Sequence, residues 1–174
     1  MNEDLQFIRN VRNFINSLPS ETRIKPPEVP LEETYTDDIL PFDLYKDTRK
    51  NIEKIADQIN KSFCHSIYDG TAILMRRLVE MLLILAFKEI GQEDSIRDAE
   101  GNYLQLSQLI NQAKPNKALD LTRNAKQYLD LFKEHGDLSA HNPFYNCKRK
   151  DLQNVQHKYR ALIEELFYKA GIIH

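Results

Sequence analysis

The chain has 174 residues, 41% of them hydrophobic and 29% charged, with 24 Lys+Arg against 26 Asp+Glu. One domain of that size buries roughly 70% of its unfolded surface and can close a core without disulfides or metal. Near-balanced charge excludes a globally basic nucleic-acid coat but not a local basic patch, and two cysteines, Cys64 and Cys147, exclude a disulfide framework.

In chain order, the first predicted element is a helix from about Glu3 to Leu18, with Leu5, Ile8, Val11, Ile15 and Leu18 on one stripe. Residues 19–41 hold five of the seven prolines. Each fixes its own torsion and turns the preceding residue away from helix, so this stretch reads as an extended strap. Residues 1–45 carry nine acids and four bases, a net of −5, whereas residues 46–174 carry 17 acids and 20 bases, a net of +3. The predicted organisation is therefore an acidic arm, 1–45, on a mildly basic helical domain, 46–174.

Within that domain Ile52, Ile55, Ala56, Ile59 and Phe63 make one helical face. Leu74, Leu78, Met81, Leu82 and Leu85 make the next, thickened by Ile73, Ile84 and Phe87. Ser95–Tyr103 has room for a small hairpin. Leu104, Leu109, Ile110 and Ala113 mark a short helix ending at Pro115; Leu121, Ala125, Tyr128 and Phe132 mark another, expected to end near Gly136. Leu152, Val155, Tyr159, Leu162, Ile163 and Leu166 form the last. The three-and-four spacing throughout predicts an all-α fold, a bundle of about five helices plus the N-terminal one. The longest apolar stretch, Leu78–Phe87, is interrupted by Glu80 and is about half of the ~20 residues needed to cross a bilayer, so it reads as a buried helix. With no signal peptide at the start, a cytoplasmic setting and no membrane partner are expected.

The familiar catalytic signatures are absent: no phosphate-cradling glycine loop, no Cys-x-x-Cys, no His-Glu-x-x-His, no Gly-x-Ser-x-Gly. His135, His141 and Cys147 recur at intervals of six, off the one-face helical spacing, so neither a metal site nor a cofactor is expected. Ser139 beside His141 is not a nucleophile pair on proximity alone. Two segments remain. Lys133-Glu134-His135-Gly136-Asp137-Leu138-Ser139-Ala140-His141-Asn142 holds a glycine, a polar residue and a histidine just before Pro143. Arg76-Arg77-Leu78-Val79-Glu80 puts two arginines and a carboxylate at the edge of the most apolar helix. Arg76 and Glu80 have the spacing of an intrahelical ion pair, and Asp137 that of a helix N-cap. Lys148-Arg149-Lys150 is either a solvated face or a track for a phosphate backbone, and Phe144 and Tyr145 either plug the core or stack on an unpaired base.

Taken together, these two segments over residues 48–170 resemble the HEPN superfamily (higher eukaryotes and prokaryotes nucleotide-binding domains). The likeness is to a bacterial branch with an Arg-Arg-aliphatic-aliphatic-Glu helix and a later Gly-[Asn/Asp]-x-x-Ala-His segment. The resemblance implies a compact helical bundle, usually a homodimer. Many members are metal-independent ribonucleases, often in toxin–antitoxin or anti-phage systems. Their active signature is Arg, a polar residue, three residues of any kind, then His. Position by position, His141 is the histidine and Asp137 the polar residue, while Gly136 stands where the arginine is expected. Lys133, His135 or Arg76 would have to supply the cation instead. Histidine can act as acid or base near neutral pH, and a planar guanidinium suits the charge growing on a phosphorane.

Three classes of function follow. The chain is a metal-independent ribonuclease with His141 as general acid/base and with Asp137 and Arg76 beside it. Alternatively it is a catalytically degenerate module that binds RNA or nucleotide through Lys148, Arg149 and Lys150, or regulates a partner or antitoxin protein. Or it is a helical adaptor with no nucleic-acid ligand.

Overall fold

The computed structural model describes residues 38–173. The helix expected over 3–18 and the strap up to residue 37 lie outside the described residues. Six α-helices follow one another: α1 (Phe42–Tyr45), α2 (Lys50–Cys64), α3 (Tyr68–Glu89), α4 (Leu106–Ala113), α5 (Arg123–His141) and α6 (Arg149–Lys169). Among the described residues there is no strand. The stretch with room for a hairpin forms a single antiparallel bridge, Arg97 to Tyr103, after a 3-10 turn at Glu93–Ile96. The fold is an all-α bundle.

Helix α3 is its axis. Its apolar residues run around most of its circumference, so several partners must cover it. It packs against α2, α4, α5 and α6, and Leu78, Val79, Leu82, Leu83 and Ala86 are fully buried. No helix among the described residues is long and apolar enough to cross a membrane. Helix α6 closes the other side with Leu162, Ile163, Leu166 and Phe167, all fully buried. Its Tyr159 packs edge-on against Phe132 of α5, with ring centroids 4.9 Å apart, and donates its hydroxyl proton to the Met75 carbonyl (3.0 Å). One side chain thus ties α5, α6 and the turn of α3 that carries Arg76.

The chain is already part of this core at Ile39 and Leu40, both fully buried. The backbone there has no helical partners, so side chains satisfy it. Asn60 of α2 accepts from the Leu40 N–H (3.0 Å) and donates to the Leu40 carbonyl (2.8 Å). Arg160 Nε donates to the Ile39 carbonyl (2.9 Å), and Gln156 and Arg160 both donate to the Asp38 carbonyl.

Two elements differ from the sequence reading. Helix α1 is a single turn, too short to show a periodicity. Helix α5 does not end near Gly136 but runs through it to His141. Asp137 is therefore mid-helix and caps nothing; the N-cap of α5 is Thr122, whose Oγ1 accepts from the Ala125 N–H (3.1 Å) and donates to Glu165 of α6 (2.6 Å). The helix stops at His141 because Pro143 disfavours helical torsions at Asn142, which is extended.

Candidate functional site

Helices α3 and α5 pack against each other, and at Gly136 the absent side chain leaves space for Arg76. A Cβ at that position would lie 2.5 Å from Cβ and 2.6 Å from Cδ of Arg76, far inside van der Waals contact. The arginine's aliphatic stem lies flat over the bare Gly136 backbone. A glycine inside a helix costs about 1 kcal/mol against alanine, and here that cost admits a neighbouring side chain.

The stem's course sets the position of the guanidinium. Arg76 Nε stands 2.8 Å from Asp137 Oδ1, with the two side chains 28% and 31% exposed. The Nε–H is not aimed along that line, and this buried atom has no well-directed hydrogen bond. The contact is thus a charge pair held by proximity. On its other oxygen Asp137 accepts from Lys133 Nζ at 2.6 Å, one helical turn back. Burial works against the Asp137 carboxylate, but the Lys133 hydrogen bond and the Arg76 charge outweigh it and hold its pKa below the usual carboxylate value. The partner of Arg76 in the structure is Asp137 across the helix crossing, not Glu80 along its own helix as the spacing suggested. Besides the Nε beside Asp137, a guanidinium carries four further N–H donors on its terminal nitrogens.

Arg76, Asp137 and His141 line one open cleft of about 740 Å³. Asp137 and His141 are four apart on α5 and share a face; Arg76 reaches the same face from α3. Lys133, Glu134, Leu138, Asn142 and Pro143 complete the α5 wall, and Gln105 and Ser107 at the start of α4 form the opposite one. Of the cleft's fixed charges two are positive, Arg76 and Lys133, and two negative, Glu134 and Asp137. A smaller cavity of about 210 Å³ continues along the α4–α5 seam and shares Ser107, Lys133 and Glu134.

The α4 wall is set by the connection before it. Glu93 accepts from Arg97, Lys88 and the Tyr103 hydroxyl, while the Arg97 guanidinium stacks 4.2 Å from the Tyr103 ring centroid. The Tyr103 hydrogen bond first, then that of Arg97, bring the Glu93 pKa down to about 2. The Gln108 side chain accepts from the Gln105 N–H (3.2 Å), fixing the first turn of α4.

The remaining singled-out residues lie elsewhere. His135 does not line the cleft; its ring is tilted beside Phe132, 6.5 Å between centroids, and its buried Nδ1 has no hydrogen-bond partner. Cys147 is buried, and its backbone N–H donates to Asp69 at the start of α3 (3.1 Å). Burial raises the Cys147 thiol pKa. Cys64 and Cys147 are both free, and among the described residues no three His, Cys, Asp or Glu side chains gather to hold a metal ion. Lys148, Arg149 and Lys150 are exposed at the start of α6 and none lines the cleft. Arg149 stacks 5.0 Å from the Phe63 ring centroid. Through Cys147 this run is tied to Asp69, two helical turns or about 10 Å along α3 from Arg76.

The two sequence segments therefore supply Arg76, Lys133, Asp137, His141 and Asn142 to the cleft, and miss Gln105 and Ser107. Nothing in the spacing of those polar residues marks them; only the fold brings them to the cleft. Compared with protein-family models, with curated proteins and with solved structures, the chain gives no significant match.

Proposed function

We propose that this chain is a HEPN-like, metal-independent endoribonuclease. The observation that carries the reading is the passage of Arg76 over Gly136 into the cleft that also holds His141. In the motif Gly136 occupies the arginine's place, and the arginine of the neighbouring helix extends across that vacated space. Arg76 holds the scissile phosphate, and Asp137, with Lys133 on its far oxygen, holds Arg76.

The chemistry transfers two protons. A base removes the proton of the 2′-hydroxyl, whose oxygen attacks phosphorus, and an acid gives a proton to the departing 5′-oxygen. The products are a 2′,3′-cyclic phosphate and a 5′-hydroxyl. A single chain offers one histidine in this cleft, so the working unit is a homodimer in which two copies of His141 divide the acid and base roles. The setting is a bacterial anti-phage or toxin–antitoxin system, with an antitoxin protein as a natural partner.

The test is incubation of purified protein with several classes of RNA in EDTA, wild type beside His141→Ala. The expected result is cleavage with 2′,3′-cyclic ends by wild type and a loss of about 10²–10⁴-fold in the variant, the range for a general acid/base. A second reading, a silent module that binds RNA or regulates a partner, draws on the equal number of carboxylates and cations in the cleft. Intact RNA with both proteins, together with salt-dependent RNA binding that charge reversal at Lys148 and Lys150 weakens, selects it.

A further inference from the structure

Phe144 is 96% exposed, the most exposed of the large hydrophobic side chains described. Its place in the chain is specific. It follows Asn142 and Pro143, which line the cleft, and precedes by four residues the basic run Lys148-Arg149-Lys150. The loop that carries it is held at both ends. The Asn142 side chain accepts from the Phe144 N–H (3.0 Å), and the Asn142 carbonyl from the Tyr145 N–H (3.2 Å). Tyr145 packs against the core and Cys147 is buried and bonded to Asp69. The backbone is thus fixed while one apolar ring stands in water. That arrangement costs solubility and contributes nothing to the core, and Tyr145 already supplies the loop's aromatic anchor.

We infer that Phe144 is a stacking platform for an unpaired base, so that the ligand of the cleft is a single-stranded RNA segment whose phosphates run between Arg76 and the Lys148–Lys150 run. An aromatic face flanked by cations on a rigid loop is how sequence-tolerant binders hold single strands: cations follow the backbone, and the ring takes whichever base is presented. In a duplex the base faces are covered by their neighbours, so the same ring gains nothing from double-stranded RNA. The inference rests on the ribonuclease reading above and adds to it the substrate's strandedness and a residue that selects it.

The experiment measures affinity for a single-stranded RNA 12-mer, for a set of the same strand with one abasic residue moved along it, and for the matching duplex. Wild type, Phe144→Ala and Phe144→Trp are compared, all in the His141→Ala background so that the strand stays intact. The expected result is a loss of about tenfold for Phe144→Ala on the single strand, with Phe144→Trp at wild-type affinity and duplex binding equal in all three. One abasic register weakens wild type and leaves Phe144→Ala unaffected, a coupling that a merely structural ring does not produce. If single-strand affinity is unchanged in Phe144→Ala while wild type binds RNA, the stacking role is overturned and the ribonuclease reading survives. A change in oligomeric state without a change in RNA affinity also overturns it, by assigning Phe144 to a contact between copies. If wild type neither binds nor cleaves RNA, both fail.

Discussion

At the scale of the residue, Gly136 decides the site. An alanine there gains about 1 kcal/mol of helix propensity. It also drives a methyl group into the Arg76 stem at Cβ, the part of that side chain least able to move. Overpacking of this kind typically costs 1–3 kcal/mol. Gly136→Ala should therefore lower the urea midpoint, or at best leave it unchanged, and should cut RNA cleavage because the guanidinium leaves Asp137. A stabilised variant with full activity, measured by urea denaturation and by the cleavage assay, contradicts the close approach. The same residue shows why a motif read residue by residue misleads. Gly136 reads in the sequence as a chain break, whereas the structure keeps it inside α5 beneath the stem of Arg76, a side chain 60 positions earlier.

At the scale of the element, apolar periodicity marks α2, α3, α4 and α6 because each buries one stripe, or in α3 nearly all sides, against several partners. It misplaces the end of α5, since one glycine costs too little to break a helix whose Ala125, Leu129 and Phe132 are buried on α3 and α6. Arg76 is legible as a candidate because a charge at the edge of the most apolar helix stands out, and Asp137 and His141 are legible through their places in the glycine–polar–histidine segment. The α4 wall of the cleft is not legible, since Gln105 and Ser107 are ordinary polar residues placed by the Glu93–Arg97–Tyr103 clip.

That clip has a pH signature. The Glu93 pKa in the folded state, about 2, lies below its ordinary 4.5. Its contribution to stability is therefore present above about pH 4.5 and is lost as pH falls toward 2. Between pH 5 and 2 the urea midpoint of wild type should fall more steeply than that of Glu93→Gln. Parallel slopes place the clip's charge outside the folding balance.

At the scale of the whole molecule, the described residues form a bundle around one apolar helix, and the candidate cleft lies where Arg76 of that helix reaches the surface. Arg76 sits where α3 passes from core to cleft, and Tyr159 pins the preceding carbonyl from α6. Asp69, which holds the Cys147 N–H just before the basic run, lies about two turns from Arg76 along the same helix, so that helix anchors both segments.

The central claim is that Arg76 and His141, from separate helices, act on one phosphate. The most direct measurement is the cleavage rate in EDTA of wild type, Arg76→Ala, His141→Ala and the double variant, with circular dichroism to show that each is folded. Groups acting on the same transition state are strongly non-additive. Each single change should cost at least about 100-fold, and the double variant should be no slower than the worse single one. An Arg76→Ala enzyme that cleaves at the wild-type rate, or a double variant whose loss is the product of the two single losses, contradicts the account.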